Sequence, residues 1–231
     1  MARRRVNTTK IEIIQTATRM FLENGYSATS IKAIANALDM STGHLTFYFP
    51  AKENLLAELV DMLCSFQWAL MKQYVEEGES LLMAICLELT SMAAICEENE
   101  IAKDFFISAY THSLTLEIIR KNDAQRAKLV FAEYCPDWSD KQFAEVETLV
   151  SGVEYATLMT TGDSAPIDMR ISGALNNIMT LYQVPEEMRR QKIQRALSMD
   201  YRAIGRTVLQ EFMAYIEETN EQAFEELLRR K

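Results

Sequence analysis

Ser41, His44 and Tyr48 recur at intervals of three and four residues, which sets them on one stripe of a helix with Thr42 beside them. Their hydroxyl and imidazole groups donate and accept hydrogen bonds, the chemistry that reads base edges and grips phosphates. Leu45 and Phe49, also four apart, suit a core. No comparable set exists for bond cleavage. The chain has no Gly-rich phosphate loop, no G-x-S-x-G, no H-E-x-x-H and no paired Cys/His nucleophile. Cys64, Cys86, Cys96 and Cys135 lie far apart, and only His44 and His112 could help them hold a metal. Buried thiols in a reducing compartment, no metal, no cofactor and no enzymatic activity are the expectation.

The elements that must position Ser41–Tyr48 are helical. With 7 Gly and 4 Pro among 231 residues, the chain lacks the turn-makers of a β-sandwich, and 48% hydrophobic residues exclude a disordered chain. An all-α fold is expected. Thr9-x-x-Glu12 reads as a capping box opening a helix with Ile13, Ile14, Ala17 and Phe21 inward, stopped at Asn24-Gly25. Ser30 can cap a second short helix through Leu38, and Ser41 a third to about Tyr48. Two short helices joined by a tight turn, about residues 30–49, form a helix-turn-helix pattern that offers Ser41–Tyr48 to a major groove. A fourth helix, about Ala51 to Glu77, begins at Pro50. Longer helices follow: Glu79–Glu98, Glu100–Arg120, Lys121–Tyr134, Ser139–Thr161 with a Ser139-x-x-Gln142 capping box, Ile167–Tyr182, Pro185–Leu197 and Asp200–Arg229.

Charge divides the chain in the same way. The first 52 residues carry seven basic side chains against three acidic ones; the remainder carries 17 against 30 within a net charge of −9. A basic head on an acidic body is expected where the head alone meets a polyanion, although a solvated charged surface would look similar. Arg3, Arg4 and Arg5 form a basic arm able to enter a minor groove or simply to solubilise the chain.

The run Thr29-Ser30-Ile31-x-x-Ile34-Ala35, then Met40-Ser41-x-Gly43-x-Leu45-x-Phe47-Tyr48-Phe49-x-x-Lys52-Glu53-x-Leu55, resembles the N-terminal domain of the tetracycline-repressor (TetR) family. Ala17, Phe21, Gly25 and Tyr26 extend the match, which covers about residues 9–56. The resemblance implies a homodimeric one-component regulator, most naturally a repressor, that binds a near-palindromic double-stranded operator and answers to a small molecule. It places DNA contacts at Ser41, Thr42, Gly43, His44, Thr46, Phe47, Tyr48, Lys52 and Thr29, with Arg3–Arg5 as the arm. Two positions depart from the family: Asp39 stands where Gly is usual in the turn, and Thr46 where a phosphate-contacting Tyr is usual. Thr46 is too short for that contact, which shifts weight to Tyr48 and Lys52.

The expected division is a DNA-binding domain at residues 1–50 and a helical effector-binding and dimerisation domain at 51–231. Phe105, Phe106, Tyr110, Phe131, Tyr134 and Trp138 are candidate walls of a cavity for a hydrophobic or aromatic effector. Phe143, Val146, Val150 and Val153 recur at 3, 4, 3 and, with Gly173, are the candidate dimer seam; alternatively that seam faces its own domain. The fourth helix reaches both parts and is the expected link between them. MARRRVNTTK has no signal-peptide core and no apolar run approaches about 18 residues, so a cytoplasmic protein without a membrane partner is expected. Two rival classes are a ligand-independent architectural DNA binder and a helical enzyme or carrier with a vestigial head. Titration against ligands and salt-dependent DNA binding discriminate among them.

Overall fold

The computed structural model describes residues 2–74 and 80–218, with residues 2–7 described by backbone alone. Their regular structure is all helical: α1 (Ala2–Asn24), α2 (Ile31–Ala37), α3 (Thr42–Tyr48), α4 (Lys52–Tyr74), α5 (Leu81–Glu98), α6 (Glu100–Thr111), α7 (Ser113–Phe131), α8 (Asp140–Leu158), α9 (Ile167–Leu181), α10 (Glu186–Ser198) and α11 (Tyr201–Glu218). The all-α expectation holds, and no described helix is long and apolar enough to cross a membrane. The final turns expected for the fourth and last helices fall outside the described residues.

Local chemistry sets several helix starts. Ser30 Oγ accepts the Ala33 N–H and Ser41 Oγ the His44 N–H, each at 3.1 Å, satisfying donors that have no intrahelical partner. The capping box at α8 forms, with Gln142 Oε1 accepting the Ser139 N–H at 2.9 Å. Gly25 takes φ 92° and closes α1, as the Asn24-Gly25 stop requires. Asp39 takes φ 51°, so the turn before α3 adopts left-handed geometry at a residue other than glycine.

Two boundaries differ from expectation. Thr9 does not cap α1, because nothing upstream breaks the helix and it runs back to Ala2. The break expected at Arg120-Lys121 lies at His112, between α6 and α7. No Gly or Pro marks it. Thr115 instead holds it, its buried hydroxyl donating to the carbonyls of Ala109 (2.5 Å) and His112 (2.9 Å) that the interruption leaves open.

α1–α3 enclose a small core of Ile13, Phe21, Ile34, Leu45 and Phe49, closed from below by Leu55, Leu56 and Leu59 of α4. In the body α5 is the centre, buried on nearly every side and packed by α4, α6 and α8–α11. A Cβ on Gly205 would lie 2.8 Å from the Ser91 carbonyl, so only glycine lets α11 approach α5 this closely. Burial in this core pushes the Cys86 and Cys96 thiols up to about 12, and all four cysteines are free and protonated.

Candidate DNA-reading head and ligand cavity

α3 presents the side chains its spacing promised. Leu45 and Phe49 point inward, while Ser41, Thr42, Gly43, His44 and Phe47 are exposed and Thr46 and Tyr48 half-buried. Phe47 is 76% exposed, a large apolar ring held in water on the outer face of a short helix. The rings of His44 and Tyr48 lie 5.5 Å apart and those of Phe47 and Tyr48 5.3 Å, so the three form one continuous surface. A Cβ on Gly43 would meet only open space, so no intramolecular packing requires glycine here. Thr46 Oγ1 donates to the Gly43 carbonyl at 3.2 Å, tied back on its own helix.

Two expected DNA contacts turn inward instead. Thr29 is buried, its hydroxyl donating to the carbonyls of Gly25 (2.8 Å) and Met20 (3.2 Å). Lys52 Nζ donates to the carbonyls of Tyr26 (2.9 Å) and Thr29 (3.0 Å) and sits 4.0 Å from the centre of the Tyr26 ring. An ammonium so occupied is a clip fastening α4 to the α1–α2 turn. Lys32, exposed on α2, is a basic residue that the spacing argument did not single out. The side chains of Arg3, Arg4 and Arg5 lie outside the described residues.

Below the head, α4–α9 and Tyr182 just after α9 surround a cavity of about 70 Å³, open to water-sized molecules. Phe106, Tyr110 and Phe131 line it. Phe105 is buried on another side of α6, one residue turning the side chain by about 100°. Trp138 backs onto Phe143 (5.3 Å) and Tyr182 (5.9 Å), behind the cavity wall, and Tyr134 lies in the turn after α7. None of these three reaches the cavity. Tyr182, unforeseen from the sequence, stacks on Phe131 at 4.0 Å and does line it.

The larger surprise is charge. Glu88, Asp123, Glu147 and Glu154 all reach this cavity, with Arg126 among them. Arg126 is 8% exposed; its Nη1 donates to both Glu88 oxygens (2.9 and 3.1 Å) and lies 3.5 Å from Asp123, while Nη2 donates to the Cys64 carbonyl at 2.6 Å. Desolvation, only partly offset by Arg126, lifts Asp123 to about 7. Desolvation and the neighbouring Asp123 charge lift Glu147 to about 8, and the same causes hold Glu154 well above the ordinary carboxylate range. Tyr182 donates to Glu147 Oε1, and Tyr110 to Glu154 Oε2 at 3.0 Å.

The expected dimer seam splits into two stripes. Phe143 and Val150 are buried against the chain's own core, and Val150 lines the cavity. Val146 and Val153 belong to an outward stripe with Leu149 (57% exposed) and Ala156, again spaced 3, 4, 3. Gly152 and Gly173 face open space. A groove between α8 and α9 runs through Leu149, Gly152, Val153 and Leu181.

Head and body meet at more than α4. Asp104 on α6 accepts the Ser27 N–H at 2.8 Å and the Ser27 hydroxyl, in the turn between α1 and α2. His112 packs its ring 5.5 Å from Tyr26 in the same turn. α1 also meets α11, where Gln15 Nε2 donates to the Ile216 carbonyl at 3.1 Å. The turn is therefore hydrogen-bonded to α6, the helix that carries the cavity residues Phe106 and Tyr110.

Residues 13–59 match the sequence family described as bacterial regulatory proteins, tetR family. A stretch of 53 residues is 38% identical to the probable HTH-type transcriptional regulator YttP of Bacillus subtilis (strain 168), covering 23% of this chain and 26% of that protein. Another 53-residue match, 36% identical, is to the HTH-type transcriptional regulator QacR of Staphylococcus aureus, covering 23% and 28%. The chain thus spans only about a quarter of the length of these curated relatives. Among solved structures, tylp, a tetr regulator from Streptomyces fradiae, aligns over 89% of this chain and 98% of its own with 20% identity and a TM-score of 0.48.

Proposed function

We infer the function from the family: at residues 13–59 the chain carries the DNA-binding domain of the tetR family of bacterial regulatory proteins, and it is a transcriptional regulator of that family. Within that frame it is a homodimeric repressor working in the cytoplasm, gripping a near-palindromic operator and releasing it when a small molecule enters the body. The observation that carries this reading is α3, a helix capped by Ser41 whose outer face exposes Thr42, His44 and Phe47, with Tyr48 half-buried beside them. On the operator, His44 reads base edges, Phe47 packs on a thymine methyl or sugar, and Ser41, Thr42 and Tyr48 hold phosphates. Lys32 on α2 adds a backbone contact.

Residues 1–50 form the reading head and residues 51–231 the sensing and dimerising body, with the first turns of α4 shared between them. The outward stripes of α8 and α9 supply the dimer face, because their apolar residues and open glycines suit a second pair of helices. Two heads so joined reach half-sites about 34–36 Å apart. Ligand in the cavity displaces α6 and α4, and the Asp104–Ser27 link carries that displacement into the turn that orients α2 and α3.

Selection of binding sites from random duplex DNA tests this reading. It should return a near-palindrome whose affinity falls steeply with salt. His44→Ala should cost about 1–3 kcal/mol on that sequence and far less on scrambled DNA. Equal losses on both, or no enriched sequence at all, would contradict it.

A further inference from the structure

The cavity is built to attract something other than the neutral aromatic compound that its ring-bearing walls suggest. Four carboxyl groups converge there from three helices: Glu88 of α5, Asp123 of α7, and Glu147 and Glu154 of α8. Among the described residues Arg126 is the one basic side chain on the cavity wall, and Glu88, Asp123 and the Cys64 carbonyl already occupy it. Tyr110 and Tyr182 have spent their hydroxyl protons on Glu154 and Glu147.

The balance of donors and acceptors is therefore uneven. Glu147 is 2% exposed, and its Oε2 has no hydrogen-bond partner. Gln67 on α4 is 3% exposed, and its Nε2 is also unpartnered. Leaving such groups unmet in a folded interior is unfavourable, and a ligand that meets them recovers the difference. Among the described residues no group of His, Cys, Asp or Glu is arranged to hold a metal ion. The rest of the wall is apolar, with Leu63, Leu89, Met92, Phe106, Phe131 and Ile178.

We propose that the cavity is the binding site for an organic cation: a protonated amine or amidine whose N–H groups engage Glu147 and Glu154, on an apolar or aromatic body held by the ring walls. This deepens the regulatory reading above by naming the chemical class of its effector, and it rests on that reading for its consequence at the operator. Phe131 and Tyr182, stacked on one another, give the body a flat aromatic wall. Gln67 Nε2 meets an acceptor atom on the ligand.

Binding is coupled to proton release. The groups that face the carboxyl cluster are Cys64 from α4, Glu88 from α5, Tyr110 from α6, Asp123 and Arg126 from α7, and Tyr182 after α9. Glu147, lifted to about 8, and Glu154, held well above the ordinary carboxylate range, carry protons that a bound cation replaces. Affinity for a cation therefore rises as pH climbs from about 6 to 8, up to tenfold per unit for each proton released.

Two isosteric sets isolate charge from shape: benzamidine, benzamide and benzoate, and 2-phenylethylamine, 2-phenylethanol and phenylacetate. Calorimetry on the full chain should show both cations binding at least tenfold more tightly than their neutral partners, with the anions weakest. Titrations in phosphate and in Tris should differ in apparent enthalpy by the protons released. Glu147→Gln and Glu154→Gln, each verified as folded by circular dichroism, should erase the cation preference while retaining the neutral compounds' binding. Neutral or anionic members binding as tightly as the cations, cation binding unchanged in both variants, or no cation binding at millimolar concentration would each overturn the proposal. An operator gel shift separates the two readings: selective DNA binding without cation binding removes the ligand class alone. Cation binding that leaves operator affinity unchanged removes the switch and keeps the site.

Discussion

Replacing Arg126 by leucine removes the guanidinium around which the acidic cavity is organised. The side chain is 8% exposed, and the change deletes its bonds to both Glu88 oxygens and to the Cys64 carbonyl. Glu88 and Asp123 are left facing one another without a counter-charge. Removing one partner of a buried pair costs about 3–5 kcal/mol, because the charge left behind remains desolvated. With a urea slope of about 2 kcal/mol per molar, the unfolding midpoint should fall by about 1.5–2.5 M at pH 8.5. The sign with pH follows from protonation. Asp123, already lifted to about 7, rises further without Arg126, which lowers it in the native protein. A carboxyl whose folded pKa lies above its unfolded one contributes stability in acid and loses it as pH climbs through the folded value. The deficit of the variant should therefore shrink as pH falls to 5.5. The double change Arg126→Leu with Glu88→Leu should recover most of the loss at pH 8.5. The assay is urea unfolding by far-ultraviolet circular dichroism at fixed protein concentration. An equal deficit at both pH values, or one below about 0.3 M at pH 8.5, would refute the picture of a charge cluster held by one arginine.

Asp104→Ala breaks both bonds to Ser27 without touching the cavity wall, so an effector should still bind but change operator affinity about fivefold less, about 1 kcal/mol of coupling; paired anisotropy titrations measure it, and an unchanged ratio would exclude the α6 route. Leu149→Glu, at a position 57% exposed, should give folded monomers in sedimentation, whereas Val150→Glu, 4% exposed, should lose stability by burying a charge. Intact Leu149→Glu dimers would move the interface elsewhere. Lys52→Met should lower head stability by about 1–2 kcal/mol through its two lost carbonyl bonds while leaving the salt slope of DNA binding unchanged; Lys32→Ala should do the reverse, flattening the slope by about one. A flattened slope for Lys52→Met would restore it as a phosphate contact.

What the sequence determined by itself was whatever depends on neighbours within about one helical turn. Ser30, Ser41 and the Ser139–Gln142 box could be read because a cap joins atoms two or three residues apart. The inward Leu45 and Phe49 and the outward His44 follow from the helix period alone, and the all-α class from the scarcity of Gly and Pro. Even the strain at Asp39 was visible, since the turn needs a left-handed residue wherever it occurs. The break at His112 was hidden because a hydroxyl six residues away from Ala109 stabilises it, with no punctuating residue. Thr29 and Lys52 look like polar surface; the turn after α1 folds the Thr29 hydroxyl back onto the carbonyls of Gly25 and Met20, and the packing of α4 under the head brings Lys52 to the same turn. Phe143 and Val150 share a spacing with Val146 and Val153 but lie about 60° apart around α8, and only the position of the core decides which stripe is buried. The cavity charge is the clearest case. Glu88, Asp123, Glu147 and Glu154 each read as an ordinary solvated carboxylate in its own helix. Their meeting around Arg126 is a product of how α5, α7 and α8 cross. Convergence of that kind depends on relative helix placement, a property of the whole packed chain that no local window of residues contains.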